Sequence, residues 1–380
     1  MTLNPLSNPK GVKLLCELCQ KPAFVQCTLC RVTYYCGIDH QQADWVGIHE
    51  KICQLLIPLR TVQMSFLSSE EHRKKQEQDL LHRRKHMIEL TRTTGQKLLF
   101  EGKHEQAVPA AMQSLRFSID VHGLDSIELV PSYLILAEAS IGLHKLSQAE
   151  EYLAQAQWTV LKTPDCSSAI KSKLERNLGL LYASQGNFDE SLRHIADDIY
   201  HASEEFGTDD IHTSGGYFHM ANVFFRQNRM DIADSLYTRV TDIWHEHLLR
   251  IVTSQTKRPD TSAVGGAVVE LEEKETESLD EAQEAEAKQV LHSIHDIREQ
   301  AANQNAAESA AKISHALAML YFLLHDLPKA KELASKAQAS CKPSSSSSNQ
   351  DHLAEDIADF MQTLQELPLR SKSSILDMAT

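Results

Sequence analysis

Residues 16–53 of this 380-residue chain read CELCQKPAFVQCTLCRVTYYCGIDHQQADWVGIHEKIC. The stretch holds six of the chain's eight cysteines, and the other two, Cys166 and Cys341, stand alone. Because the opening MTLNPLSNPKGVK lacks the apolar run of a secretion signal, clustered cysteines are more typical here of a metal site than of disulfide bonds. The sequence therefore predicts a metal-bound N-terminal module. Cys166 and Cys341 are predicted to be ordinary helix-associated thiols.

The Cys and His residues of this stretch form four close pairs. Two pairs have two residues between their members, a spacing that fits a tight turn. The other two pairs have three residues between their members, so both members share one face of a short helix. Four pairs of soft or borderline ligands are enough for two tetrahedral zinc sites. In chain order the eight candidate ligands are Cys16, Cys19, Cys27, Cys30, Cys36, His40, His49 and Cys53.

This spacing closely resembles that of the MYND zinc finger, as do Tyr34-Tyr35 before the fifth ligand and Asp44-Trp45 before the last histidine. In that family the pairs interleave, which implies two structural Zn²⁺ ions, each bound by four protein ligands with no open position for catalysis. Such ions fold a segment that is too small to bury an adequate core. The resemblance implies one zinc on Cys16, Cys19, Cys36 and His40, and another on Cys27, Cys30, His49 and Cys53.

Two features depart from the family pattern. The sixth ligand is usually a cysteine and is His40 here, which is an acceptable zinc ligand. The gap before the last histidine is usually seven residues and is eight here. The helix must therefore shift or bulge by one residue to bring His49 to the metal.

The resemblance also implies a binding activity. The MYND finger is known as a small protein-binding module that takes proline-containing peptides. Its peptide contacts correspond to Gln41 and Trp45, one turn apart on the last helix of the finger. The alternative is that Trp45 packs against the zinc core and Gln41 is merely exposed.

Charge and composition restrict the partners. The net charge is −14, yet residues 1–92 are basic, so the rest of the chain is strongly acidic. An acidic body argues against broad binding to nucleic-acid phosphates. The basic clusters 73–75 and 83–85 are the exception, and their period suits the solvated face of a helix. No run approaches the roughly 20 apolar residues that span a bilayer, so we expect no membrane span and an intracellular location.

From about residue 60 the sequence predicts helices with a repeated pattern. Small residues recur at an interval of 42, and a second small residue follows each of them after twelve positions. Antiparallel helices approach most closely at such positions, where a larger side chain would force them apart. The pattern resembles the tetratricopeptide repeat and predicts an all-α, tetratricopeptide-like solenoid of helical hairpins. The alternative is an unrelated all-helical bundle. The pairs are Gly95/Ala107, Ala137/Ala149, Gly179/Ser191, Ala221/Ala233 and, after a longer interval, Ala318/Ala330.

The composition shifts along the chain predict its domains. A turn-rich and then acidic stretch interrupts the repeats, and a serine tract precedes the last helix. We predict the finger at 1–57, a helical linker and repeats at 58–254, an acidic flexible insertion at 255–280, further helices with a C-terminal repeat at 281–342, a Ser-rich break at 343–350, a capping helix at 351–368 and a tail at 369–380.

The predicted architecture bears on three classes of function. A helical solenoid offers a long surface for partner helices or peptides, which favours an adaptor. A methyltransferase of the SET-and-MYND type needs a β-rich catalytic domain, for which the sequence before Cys16 and after Cys53 leaves no room. A co-chaperone clamp for acidic tails needs polar or basic groups where this chain has Ile135 and Asn177, and an acidic solenoid opposes such a ligand. We expect no enzymatic activity and no small-molecule substrate.

The combination of an N-terminal MYND finger, long-period repeats and no SET domain resembles vertebrate zinc finger MYND domain-containing proteins of motile cilia and sperm flagella. That resemblance implies a scaffold in the axoneme, with dynein-arm components and other tetratricopeptide proteins as partners. The alternative is a nuclear or cytosolic corepressor-type adaptor that holds proline-containing motifs through the finger.

Overall fold

The structure is a computed structural model that describes residues 14–61, 69–256, 278–301, 307–341 and 348–376. The chain divides into two compact units, Met1–Glu205 and Phe206–Thr380. Most of the insertion predicted at 255–280 and most of the break predicted at 343–350 lie outside the described residues. The described part is almost entirely helical, which confirms the all-α class with a small finger at its N-terminal end.

The finger opens with two short antiparallel strands, β1 (Val25–Gln26) and β2 (Tyr34–Tyr35), in which Val25 faces Tyr35. One uninterrupted helical segment follows. It consists of α1 (Ile38–Asp44), a π-helical turn (Trp45–His49) and α2 (Glu50–Arg60).

Helical hairpins make up the rest of the first unit. Consecutive hairpins share buried apolar clusters, so that Leu98 and Leu99 of the first pack with Ile135 and Leu136 of the second. The helices are α3 (Glu70–Phe100), α4 (His104–His122), a 3₁₀ turn (Ile127–Leu129), α5 (Val130–Gly142), α6 (Leu146–Lys162), α7 (Ser168–Ser184) and α8 (Phe188–Phe206).

The second unit has its own core, in which Trp244 and Leu248 are fully buried among apolar side chains. The last helix extends beyond the predicted 351–368 at both ends. The helices of this unit are α9 (Ile211–Arg226), α10 (Met230–Thr256), α11 (Glu281–Ala301), α12 (Ala307–Leu323), α13 (Leu327–Ser340) and α14 (Ser348–Leu376).

The small residues of the 42-residue pattern lie where the two helices of a hairpin touch. All ten of them are buried. The Ser191 hydroxyl donates to the Gly179 carbonyl at 2.8 Å, and a Cβ on Gly179 would lie 2.6 Å from Cγ1 of Ile195. A larger residue at position 179 would therefore separate α7 from α8, as the helix-packing argument requires.

The turn inside each hairpin also repeats. Seven positions after the first small residue of each pair stands a residue with positive φ. The amide that follows it donates to the carbonyl five residues earlier, at 2.8 to 2.9 Å. This is a Schellman cap, which satisfies carbonyls at the end of the first helix. Its recurrence in both units supports the repeat assignment. The positive-φ residues are Gly102, His144, Gly186, Asn228 and His325.

The two basic clusters lie in the first half of α3, where most side chains are exposed. This agrees with the prediction that they form a solvated helix face. Ile135 is buried and Asn177 donates its amide to the Lys173 carbonyl, so neither is available to an acidic tail.

Candidate metal centre

Each Cys-x2-Cys pair sits in a turn of the same shape. The residue after the second cysteine, Gln20 or Arg31, has positive φ, 56° and 59° respectively. Its amide donates to the carbonyl of the first cysteine, Cys16 or Cys27, at 3.1 Å. Both turns therefore point two thiols to the same side, as a zinc knuckle requires.

The first predicted ligand set comes together at the edge of the finger. The Nδ1 atom of His40 lies 3.4 Å from Cys16 Sγ and 3.1 Å from Cys36 Sγ. The Cys19 and Cys36 sulfurs are 3.6 Å apart, and the four ligand atoms lie within 4.8 Å of one another. Cys16 is buried, whereas the other three ligands are half-buried.

The second ligand set is buried at all four positions. Cys27 Sγ lies 4.0 Å from Cys53 Sγ, and Cys30 Sγ lies 3.6 Å from Nε2 of His49. The four ligand atoms again lie within 4.8 Å of one another. The structure thus brings together the ligands in the two interleaved sets that the family resemblance implied.

The geometry and chemistry of both sets fit zinc. A tetrahedral ion with Zn–S bonds of about 2.3 Å places two sulfurs about 3.8 Å apart, close to the separations observed. Burial and the neighbouring thiols raise the pKa of Cys36 to about 11 and that of Cys53 to about 12. A divalent cation would stabilise these crowded thiols as thiolates.

The π-helical turn brings His49 to the second site. A π-helix carries more residues per turn than an α-helix, and such turns are often found at functional sites. The turn Trp45–His49 ends on the ligand itself. It absorbs the extra residue between His40 and His49, which confirms the predicted bulge.

A buried acidic side chain, Asp44, lies behind the ring of His49. Its Nδ1 atom lies 3.6 Å from Asp44 Oδ2, and the Tyr35 hydroxyl donates to the same oxygen at 2.6 Å. Asp44 and Tyr35 are both fully buried. Burial and Asp44 raise the pKa of the Tyr35 hydroxyl, which therefore stays protonated and donates. A carboxylate behind a zinc-bound imidazole fixes the ring orientation and strengthens its binding.

A second buried carboxylate belongs to the first zinc knuckle. Glu17 Oε1 accepts from Arg60 at 2.5 Å, and Oε2 accepts from Gln113 at 3.0 Å and from Arg116 at 2.7 Å. Arg116 also donates to the Glu17 carbonyl. Burial raises the pKa of Glu17, but Arg60, Gln113 and Arg116 outweigh burial and lower it overall. Glu17 is therefore ionised and joins the finger to α4.

The two predicted peptide contacts have different surroundings. Trp45 is half-buried, and its ring centroid lies 5.7 Å from that of His49, so it packs against the zinc core. Gln41 is only 5% exposed, so the alternative that it is merely exposed is wrong. It lies on α1, which contacts α4. A peptide contact at Gln41 would require its side chain to move.

Among the described residues a third group could hold a cation, formed by Glu175, His194 and Asp197. His194 Nδ1 lies 2.6 Å from a Glu175 oxygen, and its ring stacks on Tyr182 at 5.2 Å. Since the contacts to Glu175 and Tyr182 already account for the position of this ring, we assign no metal to this group.

Sequence reasoning missed Asp44 and Glu17 as supporting residues. The usable signal for Asp44 is an acidic residue five positions before a ligand histidine. The signal for Glu17 is weaker: it is a charged residue between the two cysteines of a knuckle. Its partners on α4 lie almost a hundred residues away along the chain.

Within the part of the chain that the structure describes, no helix is both long and apolar enough to cross a membrane. A family model described as MYND finger matches residues 16–53, from the first predicted ligand to the last. With the two ligand sets brought together, residues 16–53 are a MYND zinc finger with two zinc-binding sites.

Proposed function

We propose that this protein is a non-enzymatic scaffold that holds other proteins together. The two closed zinc sites carry this proposal. Each has four protein ligands, which leaves no open coordination position for a substrate or an activated water. MYND fingers are protein-binding modules, and stacked helical hairpins present an extended surface to partner helices or peptides.

Exposed apolar side chains on both parts support partner binding. On the finger, Phe24 is 60% exposed and Val46 is 57% exposed. At the end of α6, Trp158 is 58% exposed and Leu161 is 79% exposed. Trp158 and Leu161 are three residues apart on one helix and so lie next to each other. Neighbouring exposed apolar side chains are typical of contact surfaces.

The regions that would bind partners have the limits predicted from the sequence. The finger at 1–57 and the helices at 58–254 and 281–342 are the regions that would bind partners. The proposed location is the ciliary or sperm flagellar axoneme, where the protein would associate with dynein arms, contact other tetratricopeptide proteins and support flagellar motility. This location rests on the resemblance of the domain combination alone.

The alternative function is a nuclear or cytosolic corepressor-type adaptor that binds proline-containing motifs through Gln41 and Trp45. The partly exposed ring of Trp45, beside the exposed Val46, favours it. The burial of Gln41 counts against it, because a peptide could reach only part of the implied surface.

Affinity capture of the full-length chain from ciliated tissue or sperm tests both functions. Four baits are compared by quantitative mass spectrometry: wild type, Trp45→Ala on the finger, Trp158→Ala/Leu161→Ser on α6, and Gln155→Ala. Gln155 is an exposed residue of α6, so Gln155→Ala is the matched control for the α6 variant.

The ciliary scaffold would be supported if wild type and Gln155→Ala both recovered dynein-arm or other tetratricopeptide proteins and the α6 variant, Trp158→Ala/Leu161→Ser, lost them. Chromatin regulators that are lost only with Trp45→Ala would support the corepressor-type adaptor and contradict the ciliary function. A methyltransferase assay with S-adenosylmethionine should be blank, and turnover there would overturn the scaffold proposal.

A further inference from the structure

One face of the finger is an internal interface with the first hairpin. Ile48, Ile52 and Leu56, all at most 1% exposed, form a single apolar cluster with side chains of α3 and α4. Burial of such side chains stabilises the contact, because it removes apolar surface from water. The finger and the hairpin therefore share one core. The hairpin side chains in this cluster are Met87, Ile88, Ala110 and Phe117.

The two backbones approach closely at Gly47. A Cβ on this residue would lie 2.7 Å from the Gln106 carbonyl oxygen and 3.0 Å from Pro109. No side chain fits there without moving α4. Gly37, the other glycine near the start of the finger's helical segment, has no neighbour within 4 Å of its built Cβ.

The contacting residues stand next to zinc ligands in the sequence. Glu17, which binds Gln113 and Arg116 of α4, follows Cys16 directly. The apolar residues Ile48 and Ile52 immediately precede His49 and Cys53. The positions of these three contacts therefore depend on the backbone that the two zinc sites hold.

We propose that the zinc-loaded finger and the α3–α4 hairpin form one cooperative folding unit, in which zinc loading controls the order of the hairpin. The finger thereby acts as a metal-dependent N-terminal cap on the helical repeats. Terminal repeats expose an apolar face that a cap must cover. This inference goes beyond the scaffold function and does not depend on it.

The test is hydrogen exchange with mass spectrometry on the full-length chain, with zinc, after removal of zinc by a chelator, and after zinc is added back. Peptides from α4 report the hairpin, and peptides from α9 and α10 are the internal reference. We expect zinc removal to speed exchange in α4 about tenfold or more, reversibly, since local opening governs protection. The reference peptides should not change.

The variant Gly47→Ala separates the interface from the metal sites. Alanine favours a helix more than glycine does, so faster exchange in α4 would have to come from the interface. We expect Gly47→Ala to bind two zincs and to exchange faster in α4 even when loaded. Gly37→Ala should behave as wild type.

A second variant covers the case in which Gly47→Ala loses zinc. Arg116→Gln removes a contact to Glu17 from the hairpin side and replaces no zinc ligand. It should retain two zincs and also speed exchange in α4. The proposal would be overturned if zinc removal let finger peptides exchange freely but left exchange in α4 unchanged. It would also be overturned if Gly47→Ala and Arg116→Gln both bound two zincs and α4 exchanged as slowly as in the wild type.

Discussion

The finger and the helical hairpins hold their backbones in place by different means. In the finger, eight ligands surround two metal sites, and the short strands contribute only two residues each. In the hairpins, close contact between small residues such as Gly179 and Ser191 allows large side chains to fill the space around them. The finger is too small to build an adequate core of its own, so metal ligands hold its backbone where packing holds the hairpins. One apolar cluster, which includes Ile48 and Met87, joins the finger to the first hairpin.

The largest expected effect is loss of a ligand at the fully buried site. Cys53→Ala should lose the second zinc and unfold the segment that this ion holds, because structural zinc contributes roughly 10–16 kcal/mol of apparent binding free energy to folding. Zinc content and limited proteolysis measure this. Cys166→Ala is the control, since Cys166 is also buried but lies in no ligand group of the described residues. Equal zinc content in the two variants would contradict the ligand assignment.

Acid should destabilise the second unit by a route that involves no metal. Nε2 of His245 lies 3.0 Å from Nδ1 of His315, and both residues are buried. Burial, with the charges of His315 and Lys312, lowers the pKa of His245 to about 3, and burial lowers that of His315 to about 4. The folded state therefore leaves both neutral, while the unfolded chain takes up protons below pH about 6.5.

The free energy of unfolding of this unit should therefore fall as the pH drops from about 6.5 towards 4. Each of the two histidines should contribute a loss of up to about 1.4 kcal/mol for every pH unit. Hydrogen exchange in α10, corrected for its intrinsic pH dependence, measures the slope. His245→Gln/His315→Gln should flatten it. A slope that persists in the double variant would assign the acid sensitivity to other groups.

A smaller effect is expected where two helices touch. Gly179→Ala should destabilise the α7–α8 hairpin by about 1–3 kcal/mol, because the added methyl meets Ile195. Thermal unfolding measures the loss. Ile195→Ala removes the opposing side chain, so the double variant should cost less than the sum of the two single variants. If the stability losses of the two single variants simply added in the double variant, residues 179 and 195 would not be in steric contact.

The smallest effect is expected at the partly exposed zinc site. His40→Cys should keep both zincs and change stability little, because cysteine and histidine both serve as ligands in tetrahedral sites. Zinc titration against a competing chelator measures the affinity. His40→Ala is the companion variant and should lose the first zinc alone. If His40→Cys also lost it, the imidazole would be required by the site's geometry.

Local spacing made much of this structure predictable. Paired Cys and His residues identify both ligand sets, the extra residue before His49 predicts the bulge, and the small residues of the repeat locate the helix contacts. The left-handed turn residues were not predicted, because two of them, His144 and His325, are histidines, which carry little preference for positive φ compared with glycine.

The docking of the finger could not be predicted either. It depends on contacts between Glu17 and Arg116, 99 positions apart, and on the close approach at Gly47. Such contacts leave no periodic trace in one sequence. The burial of Gln41 on α1 was missed for the same reason, since α4 lies beside α1 only in the folded chain.

Native mass spectrometry of the intact chain tests the central claim most directly, because it counts the zinc ions that hold the finger. We predict two zinc ions per wild-type chain, with all eight cysteines unpaired, and one fewer ion in Cys53→Ala. A wild-type chain with one zinc, with none, or with disulfide bonds among residues 16–53 would contradict the assignment of eight ligands to two closed sites.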